Sequence, residues 1–289
     1  MLTPSVSPVR IKKINDSNIL YADDLLAAEE PLEIRLGFGP ASEREQKNIS
    51  VTMRTPGNDF ELALGFLFTE GIINTYQDVK HIRYCTDGNR SLSPGEGRGE
   101  AENIVRAELN ENIFPDLKKL ERNFYTTSSC GVCGKASIDS IKTVCEKLIS
   151  EDTLVLSSEI LCRLPEELRK QQNIFEHTGG LHASALFDAD GKLLFIREDI
   201  GRHNALDKLI GAALASGMIP LSHHILLLSG RASFELIQKA VMSGINIVAA
   251  VGAPSSLAVK LAKEFNITLI GFLRNERFNI YSGEHRIII

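Results

Sequence analysis

The chain has 289 residues, 37 of them acidic and 32 basic, which gives a formal net charge of −5. Its length predicts two domains with room for a substantial core, and 43% hydrophobic with 24% charged residues is typical of a globular protein, not of a disordered or fibrous one. No apolar run could cross a bilayer, the first residues lack a signal-peptide core, and five cysteines form no even disulfide framework, so we expect a cytoplasmic protein without membrane or nucleic-acid partners.

Residues 1–120 predict a small α+β domain. Short strands with apolar or β-branched residues are expected at residues 32–36, 49–54, 79–85 and 104–109. A helix is predicted over residues 59–70, because its apolar residues recur at helical spacing. Asp59 can cap this helix and Gly71 can end it. Residues 87–100 lack apolar periodicity and predict an exposed loop.

Residues 121–289 predict an α/β domain in which strands and helices alternate. A hairpin is expected around the turn residues 188–191, with strands at 183–187 and 193–197. Continuous apolar runs, typical of strands covered on both faces, occupy residues 225–228, 247–251 and 268–272. Helices fit residues 135–150, 234–242 and 256–265. This order predicts right-handed crossovers and a parallel sheet.

Four loops should meet at one edge of that sheet, outside the carboxyl ends of its strands. They are residues 198–203, 229–233, 252–256 and 272–277. The first three precede helices, whose N-termini favour anions, and arginine forks suit phosphate. A single loop of this kind commonly only caps its helix, but four loops on one edge favour a polyanion pocket. From these loops we select Arg202, His203, Ser229, Gly230 and Arg231 as candidate ligand-binding residues, with Arg274 and Arg277 as further basic groups.

Cys130 and Cys133 form the only C-x-x-C pair and lie beside Lys135 at a predicted helix start. That setting favours the reactive thiolate. The second sulfur can resolve a disulfide or persulfide formed on the first. The pair therefore indicates sulfur chemistry.

Three other interpretations of the pair are weaker. A structural zinc site normally needs four ligands, and a thioredoxin-like motif belongs in an early βαβ unit. A zinc deaminase needs H-x-E and P-C-x-x-C, yet no histidine has that spacing and Ser129 stands where the proline should be. We therefore expect no catalytic zinc.

The remaining cysteines and histidines give weaker signals. Cys85, Cys145 and Cys162 are scattered singly in or beside apolar segments and are expected in the core. His177 and His182 flank a Gly-Gly turn, and an ordinary loop histidine is the simpler interpretation of each. His203, beside Arg202, is the better functional candidate.

The chain resembles the formate dehydrogenase accessory sulfurtransferases, the FdhD family, over nearly its whole length. The blocks that carry the resemblance are Met53-Arg-Thr-Pro56, Leu64-Gly-Phe-Leu67, Glu70-Gly-Ile-Ile73, Ser129-Cys-Gly-Val-Cys-Gly-Lys135, Thr178-Gly-Gly-Leu-His-Ala183, Glu198-Asp-Ile-Gly-Arg-His-Asn-Ala-Leu-Asp-Lys208, Ser229-Gly-Arg-Ala-Ser-Phe-Glu235, Gly271-Phe-Leu-Arg274 and Phe278-Asn-Ile-Tyr281. Residues 252–256 depart slightly from the Ser-Ala-Pro-Thr-Ser run that the family pattern leads us to expect.

The resemblance implies a cytidine-deaminase-like three-layer αβα domain without zinc chemistry, joined to a small N-terminal domain, in a homodimer. It also implies that a cysteine desulfurase supplies sulfane sulfur, which the protein holds as a persulfide. The sulfur then passes to the molybdenum or tungsten of a bis(molybdopterin guanine dinucleotide) cofactor, which activates formate dehydrogenase. By the motif, Cys130 carries the persulfide and Cys133 assists. The cofactor-binding segment of the family corresponds to Phe272, Leu273, Arg274, Asn275, Glu276 and Arg277.

Two further hypotheses stay open. The protein could be a chaperone that delivers the cofactor without sulfurating it, or a zinc-binding or thiol-redox protein. Persulfide formation on Cys130 is required by the sulfur-carrier hypothesis and by neither of these two alternatives.

Overall fold

Two main β-sheets organise the part of the chain that the computed structural model describes, which is residues 5–16, 18–85, 103–115 and 154–289. The predicted loop at 87–100, the helix at 135–150 and the domain boundary at residue 120 lie outside these ranges. Within the described ranges, no helix is both long and apolar enough to span a membrane.

The described chain begins with a hairpin that sequence patterns did not predict. Strands β1 (Val6–Asn15) and β2 (Asn18–Ala27) pair antiparallel along their full length. Most of their residues are exposed, so the hairpin lacks the alternation of buried and exposed positions by which strands are recognised in a sequence.

The first main sheet contains the four strands that were predicted for the small domain, which confirms them. They are β3 (Glu30–Phe38), β4 (Glu45–Arg54), β5 (Val79–Tyr84) and β6 (Ile104–Leu109). Their order is β4-β3-β6-β5, and only β3 and β6 run parallel.

Helix α1 (Asp59–Thr69) follows β4 and confirms the predicted helix, but the predicted cap is wrong. The N-cap is Asn58, in a left-handed conformation with φ 58° and no side-chain cap bond. The Asp59 carboxylate is instead buried and accepts two hydrogen bonds from the Arg54 guanidinium, both at 3.0 Å. Gly71, with φ 69°, follows the helix end as predicted.

A two-residue strand and two helices link the two main sheets, and none of them was predicted. They are β7 (Leu156–Ser157), α2 (Ser158–Gln171) and α3 (Asn173–Thr178). The Ser157 hydroxyl accepts a hydrogen bond from the Ile160 amide at 3.3 Å and so caps α2. Leu161, Leu164 and Leu168 form its buried stripe.

The second main sheet has six strands in the order β13-β12-β11-β10-β8-β9. Its strands are β8 (His182–Phe187), β9 (Leu193–Asp199), β10 (Ile225–Leu228), β11 (Ile247–Ala250), β12 (Thr268–Arg274) and β13 (Arg277–Ser282). The predicted β8–β9 hairpin and the parallel arrangement of β10, β11 and β12 are confirmed. The strand β14 (Ile287–Ile288) pairs with β7.

Helices cover both faces of this sheet. The helices α4 (Arg202–Ala215), α5 (Phe234–Met242) and α6 (Ser256–Glu264) share a hydrophobic core with Leu226, Leu228 and Val248. The intervening strand residues, such as Ile225 and Leu227, pack with the leucines of α2 in a second core. The protein is therefore a mixed α/β protein with its larger sheet enclosed.

The small sheet and the large sheet are not packed independently. One core contains Leu64 and Leu67 of α1 together with Leu206 and Leu209 of α4. The two helices touch through their backbones, because any side chain at Gly65 would place its Cβ 1.8 Å from the Asp207 carbonyl oxygen. Such a crossing requires glycine.

Candidate functional site

One edge of the large sheet brings the four predicted loops together. β9, β10, β11 and β12 all end there, and β8 begins there, with His182 paired to Asp199 and Leu228 to Ser184. The loops after β9, β10 and β11 lead directly into α4, α5 and α6. The shared edge and the helix starts were both expected from the strand order.

A ladder of hydrogen bonds joins these loops beyond the strand ends. The Ala183 amide donates to the Ser229 hydroxyl at 2.8 Å, the Gly252 amide to the Gly230 carbonyl at 2.9 Å, and the Phe272 amide to the Gly252 carbonyl at 3.0 Å. The Gly252 amide, which belongs to a loop expected to face an anion, is therefore already used within the protein, and so is the Phe272 amide. Arginine side chains and the helix N-termini then become the main anion-attracting groups of this edge.

A cleft of about 950 Å³ opens above the ladder. Its floor includes Ser229, Gly230 and the residues Leu273 to Asn275. Its wall is the face of α2 next to the buried stripe, together with α3 and the Gly179–Gly180 turn. The wall residues on α2 include Cys162, Pro165, Glu166 and Arg169. These four positions recur at helical spacing, so one helix both closes the core and walls the cleft.

The Glu198 carboxylate holds α3 in place. It accepts hydrogen bonds from the amides of Ile174 at 3.2 Å and Phe175 at 3.0 Å, which belong to the first turn of α3. Burial raises the pKa of Glu198, although these bonds and Lys208 oppose the shift. A strand end of the large sheet thus fixes the wall of the cleft.

Residues next to Glu198 connect the large sheet to the segment that follows β4 of the small sheet. Asp199 is fully buried, pairs with Lys208 at 2.7 Å and accepts a bond from the Thr55 amide at 3.2 Å. Asn204 donates to the Met53 carbonyl at 2.8 Å. The sequence blocks at residues 53–56 and 198–208 therefore pack against each other, and this contact holds the loop after β9 in place.

Positive charge surrounds the histidine at the cleft edge. Burial lowers the pKa of His182, and Arg202 and Arg231 lower it further. A side chain at Gly230 would place its Cβ 3.2 Å from the His182 Nδ1 atom, so the glycine makes room for the ring. His182 is therefore neutral at pH 7 and keeps a ring nitrogen that can accept a proton.

His203 lies beside the start of α5. Its Nε2 is 3.3 Å from the Ser233 hydroxyl and 3.8 Å from the Glu235 carboxylate. Burial, followed by the charge of Arg202, lowers its pKa to about 4. Arg202 is half-buried, and its Nε atom has no hydrogen-bond partner within the described ranges. Neither residue lines the cleft, so both would act at its rim.

The β12–β13 turn was predicted to bind the cofactor, and its side chains divide into two groups. Phe272, Arg274, Asn275, Glu276 and Arg277 are exposed. Leu273 has no exposed surface and packs in the core beneath the sheet. Leu273 therefore packs in the core although it also belongs to the residues that line the cleft floor, and its predicted role in cofactor binding stays a prediction.

The expectation that the scattered cysteines lie in the core is wrong for Cys85 and Cys162. Cys162 and Cys85 are half-buried, not core residues, and Cys162 faces the cleft from α2. Burial, and then the charge of Glu276, raises the pKa of the Cys162 thiol. Cys130, Cys133 and Cys145 lie outside the described residues, so their roles stay predictions.

The FdhD/NarQ family model matches residues 27–288 of the chain. This chain belongs to the FdhD/NarQ family. A protein of Streptomyces avermitilis named sulfur carrier protein FdhD is 50% identical over 285 residues, which is 97% of this chain and 95% of that protein. A protein of Sulfurisphaera tokodaii with the same name is 40% identical, over 98% and 99% of the two chains. The family resemblance drawn from the sequence blocks is confirmed.

A solved structure supports the fold of this FdhD/NarQ chain. The crystal structure of a candidate formate dehydrogenase accessory protein from Desulfotalea psychrophila matches with a TM-score of 0.71, over 99% of this chain and all of that one. At 22% identity the match concerns the fold alone.

Sequence reasoning missed three cleft residues of this FdhD/NarQ chain: Cys162, Arg169 and His182. The i, i+3, i+4, i+7 spacing along α2 could have indicated a second helical face there. The position of His182 over Gly230 has no local signal, because it depends on sheet pairing between distant segments. Within the described residues, no group of three or more His, Cys, Asp or Glu side chains could hold a metal ion.

Proposed function

We propose that this protein is a cytoplasmic sulfur carrier and sulfurtransferase of formate dehydrogenase maturation. It takes sulfane sulfur from a cysteine desulfurase and delivers it to a molybdenum or tungsten bis(molybdopterin guanine dinucleotide) cofactor, which is its substrate. The observation that carries the proposal is the cleft at the carboxyl edge of the sheet, with its arginine rim. Relatives named sulfur carrier proteins support the same assignment.

The first chemical step loads the carrier. The Cys130 thiolate attacks the outer sulfur of the desulfurase persulfide, which forms Cys130–S–S⁻ and releases the desulfurase thiolate. One sulfur–sulfur bond forms and one breaks, so no external oxidant or reductant is needed. A thiolate is the required nucleophile.

The second step releases sulfur at the reduction level of sulfide. The Cys133 thiolate attacks the inner sulfur of the Cys130 persulfide and forms a Cys130–Cys133 disulfide. The outer sulfur leaves with the bonding electron pair and becomes available to the metal of the substrate. A cellular dithiol must then reduce the disulfide before the next cycle.

The residues around the cleft suit a polyanionic substrate that carries two pyrophosphate groups. Arg202, Arg231, Arg274 and Arg277 can each present a planar fork to phosphate. The neutral His182 ring can accept or return a proton where sulfur leaves. In this assignment the larger domain has a cytidine-deaminase-like three-layer αβα fold without zinc chemistry, supported by the helices on both faces of its sheet.

Persulfide mapping tests the proposal. The full chain is incubated with a cysteine desulfurase and L-cysteine. The mass of the peptide that contains Cys130 is then measured by mass spectrometry. We expect the added mass of one sulfur atom, removable by a reductant and lost in Cys130→Ala. Cys133→Ala is the matched control, which should load sulfur but release little sulfide. An unmodified peptide in the wild type contradicts the proposal.

Activation of formate dehydrogenase distinguishes the chaperone alternative. If Cys130→Ala still activates the enzyme while Arg274→Ala does not, the protein delivers the cofactor without sulfurating it. If both variants fail and wild type loads sulfur, the carrier assignment stands.

A further inference from the structure

One buried polar side chain on the cleft wall has no partner among the described residues. Gln172 is only 7% exposed and lines the cleft at the point where α2 passes into α3. It is the N-cap residue of α3 but makes no side-chain cap bond, and its carboxamide makes no other hydrogen bond within the described ranges. A buried amide without a partner is costly unless a ligand or water hydrogen-bonds it.

The Gln172 carboxamide is open to the cleft. Although the residue is buried, neither polar atom of its side chain is sealed from solvent, and the space that the residue lines is the cleft. Its backbone is held on both sides, because its amide donates to the Arg169 carbonyl at 3.3 Å and its carbonyl accepts from the Glu176 amide at 3.0 Å. The carboxamide is therefore presented to a ligand from a fixed position, which lowers the cost of binding.

An aromatic side chain lies beside this carboxamide on the wall. Phe175 follows three residues later, lines the same cleft and is half-buried. Residues three apart on a helical segment lie on the same side, and the bond from the Phe175 amide to the Glu198 carboxylate at 3.0 Å fixes this segment. The wall thus combines an aromatic ring with an adjacent donor and acceptor.

We propose that Gln172 and Phe175 form a subsite for a heteroaromatic ring with a lactam edge, in which a carbonyl stands next to a ring N–H. The Gln172 Nε2 donates to the ring carbonyl, its Oε1 accepts from the ring N–H, and Phe175 stacks on the ring. This inference rests on the proposed function, because the guanine and the pterin of that substrate both carry this edge. It names the residues that select the ring.

The rest of the cleft leaves room for the charged part of such a ligand. Arg169 on the wall and Arg274 on the floor line the same cleft and are exposed, so they are available to a pyrophosphate attached to the ring. The volume of about 950 Å³ is at the upper end of the range of about 300–1,000 Å³ for small-molecule sites. One ring with its phosphates therefore fits.

Calorimetric titration of the full chain with two probes tests the subsite. GDP carries the guanine ring, and neopterin carries the pterin ring. We expect Gln172→Ala to raise the Kd of the ring that the subsite holds about tenfold, a loss of about 1.4 kcal/mol, and the probe that responds identifies that ring. Gln171→Ala is the matched control, because Gln171 is the preceding residue, is exposed and lies outside the cleft. It should leave both constants unchanged.

Methylation of the responding probe at its lactam nitrogen removes the same hydrogen bond from the ligand. We expect 1-methyl-GDP or 3-methylneopterin to bind wild type about tenfold more weakly than its parent. In Gln172→Ala the methyl group should add little further loss, because the bond is already absent. A substitution that only loosened the wall would leave the methylation penalty as large as in wild type. The wild-type comparison tests the bond even if the variant does not fold.

The aromatic contact is tested by removing or keeping the ring at residue 175. Phe175→Leu should weaken binding of the same probe about fivefold or more, because base–aromatic stacking is lost. Phe175→Tyr keeps the ring and should bind as wild type does.

Four results would overturn the subsite: no binding of either probe to wild type, equal effects of Gln172→Ala and Gln171→Ala, no penalty from methylation, or a penalty of the same size in wild type and Gln172→Ala. Sulfur loading of Cys130 needs neither wall residue. Persulfide mapping therefore decides the proposed function separately, and ring binding can be measured even if loading fails.

Discussion

Substituting Gly65 by alanine tests the backbone contact between α1 and α4. The new Cβ would lie 1.8 Å from the Asp207 carbonyl oxygen, while ordinary contact begins at 3.4 Å. The helices would have to separate by the difference between 3.4 and 1.8 Å, about 1.6 Å. A Cβ at Gly211 of α4 would likewise lie 1.9 Å from the Glu61 carbonyl oxygen of α1. The backbones of both helices are therefore in close contact at this crossing.

The expected loss of stability follows from two opposing effects. Alanine favours a helix interior by about 1 kcal/mol over glycine. Overpacking a tight contact typically costs about 1–3 kcal/mol and occasionally more. Because backbone must move here, we expect a cost of about 3–4 kcal/mol, which leaves a net loss of about 2–3 kcal/mol. For a chain of this size, that lowers the Tm by roughly 5–10 °C. Thermal unfolding followed by circular dichroism measures the change.

Gly180→Ala is the control for this experiment. Its Cβ would meet neighbours only at 3.8 Å, and we expect a Tm close to that of wild type. If Gly65→Ala raises the Tm, as helix propensity alone predicts, then the two helices do not touch through their backbones and the packing described above is wrong.

Three further substitutions test the supports of the site. Lys208→Met leaves the buried Asp199 carboxylate without its cation and should lower the free energy of unfolding by about 3–5 kcal/mol, measured by chemical denaturation. Adding Asp199→Asn should restore part of the loss. A Lys208→Met variant as stable as wild type would contradict the buried ion pair. The pKa of His203 is lowered to about 4, so the unfolded chain binds an extra proton between pH 6.5 and 4, and stability is lost as the pH falls through this window. His203→Gln should reduce that loss in unfolding curves at pH 7 and 5, whereas an unchanged pH dependence would show that the ring is not desolvated. Glu198→Gln should speed hydrogen exchange of the first α3 amides about tenfold, because it removes a charge-assisted bond to each; unchanged exchange would mean that another group holds the helix.

The parallel strands could be predicted because each is a continuous apolar run. Residues 225–228 match β10 in both bounds, and the edge where the site lies followed from strand order alone. The N-terminal hairpin could not be found in this way, since most residues of β1 and β2 are exposed and none is buried.

Helix α2, which forms the wall of the cleft, could not be predicted from the local sequence pattern either. Pro165 interrupts the apolar period of α2 and weakens its helical signal. The same helix turns Cys162 toward the cleft, although an isolated cysteine among apolar residues predicts a core position. His182 gains its place at the cleft only because Gly230, in the loop after β10, passes beside it.

The ladder that joins the loops has a consequence for how the family can vary. The Gly252 and Phe272 amides each bond to a carbonyl of the neighbouring loop, so an inserted residue at Gly230 or Gly252 would displace the next loop as well. A Cβ at Gly252 would also lie 2.9 Å from the Gly230 oxygen. Loop length on the floor is thus constrained collectively, and we expect diversity in substrate or partner preference to arise in the α2–α3 wall and the outer β12–β13 turn.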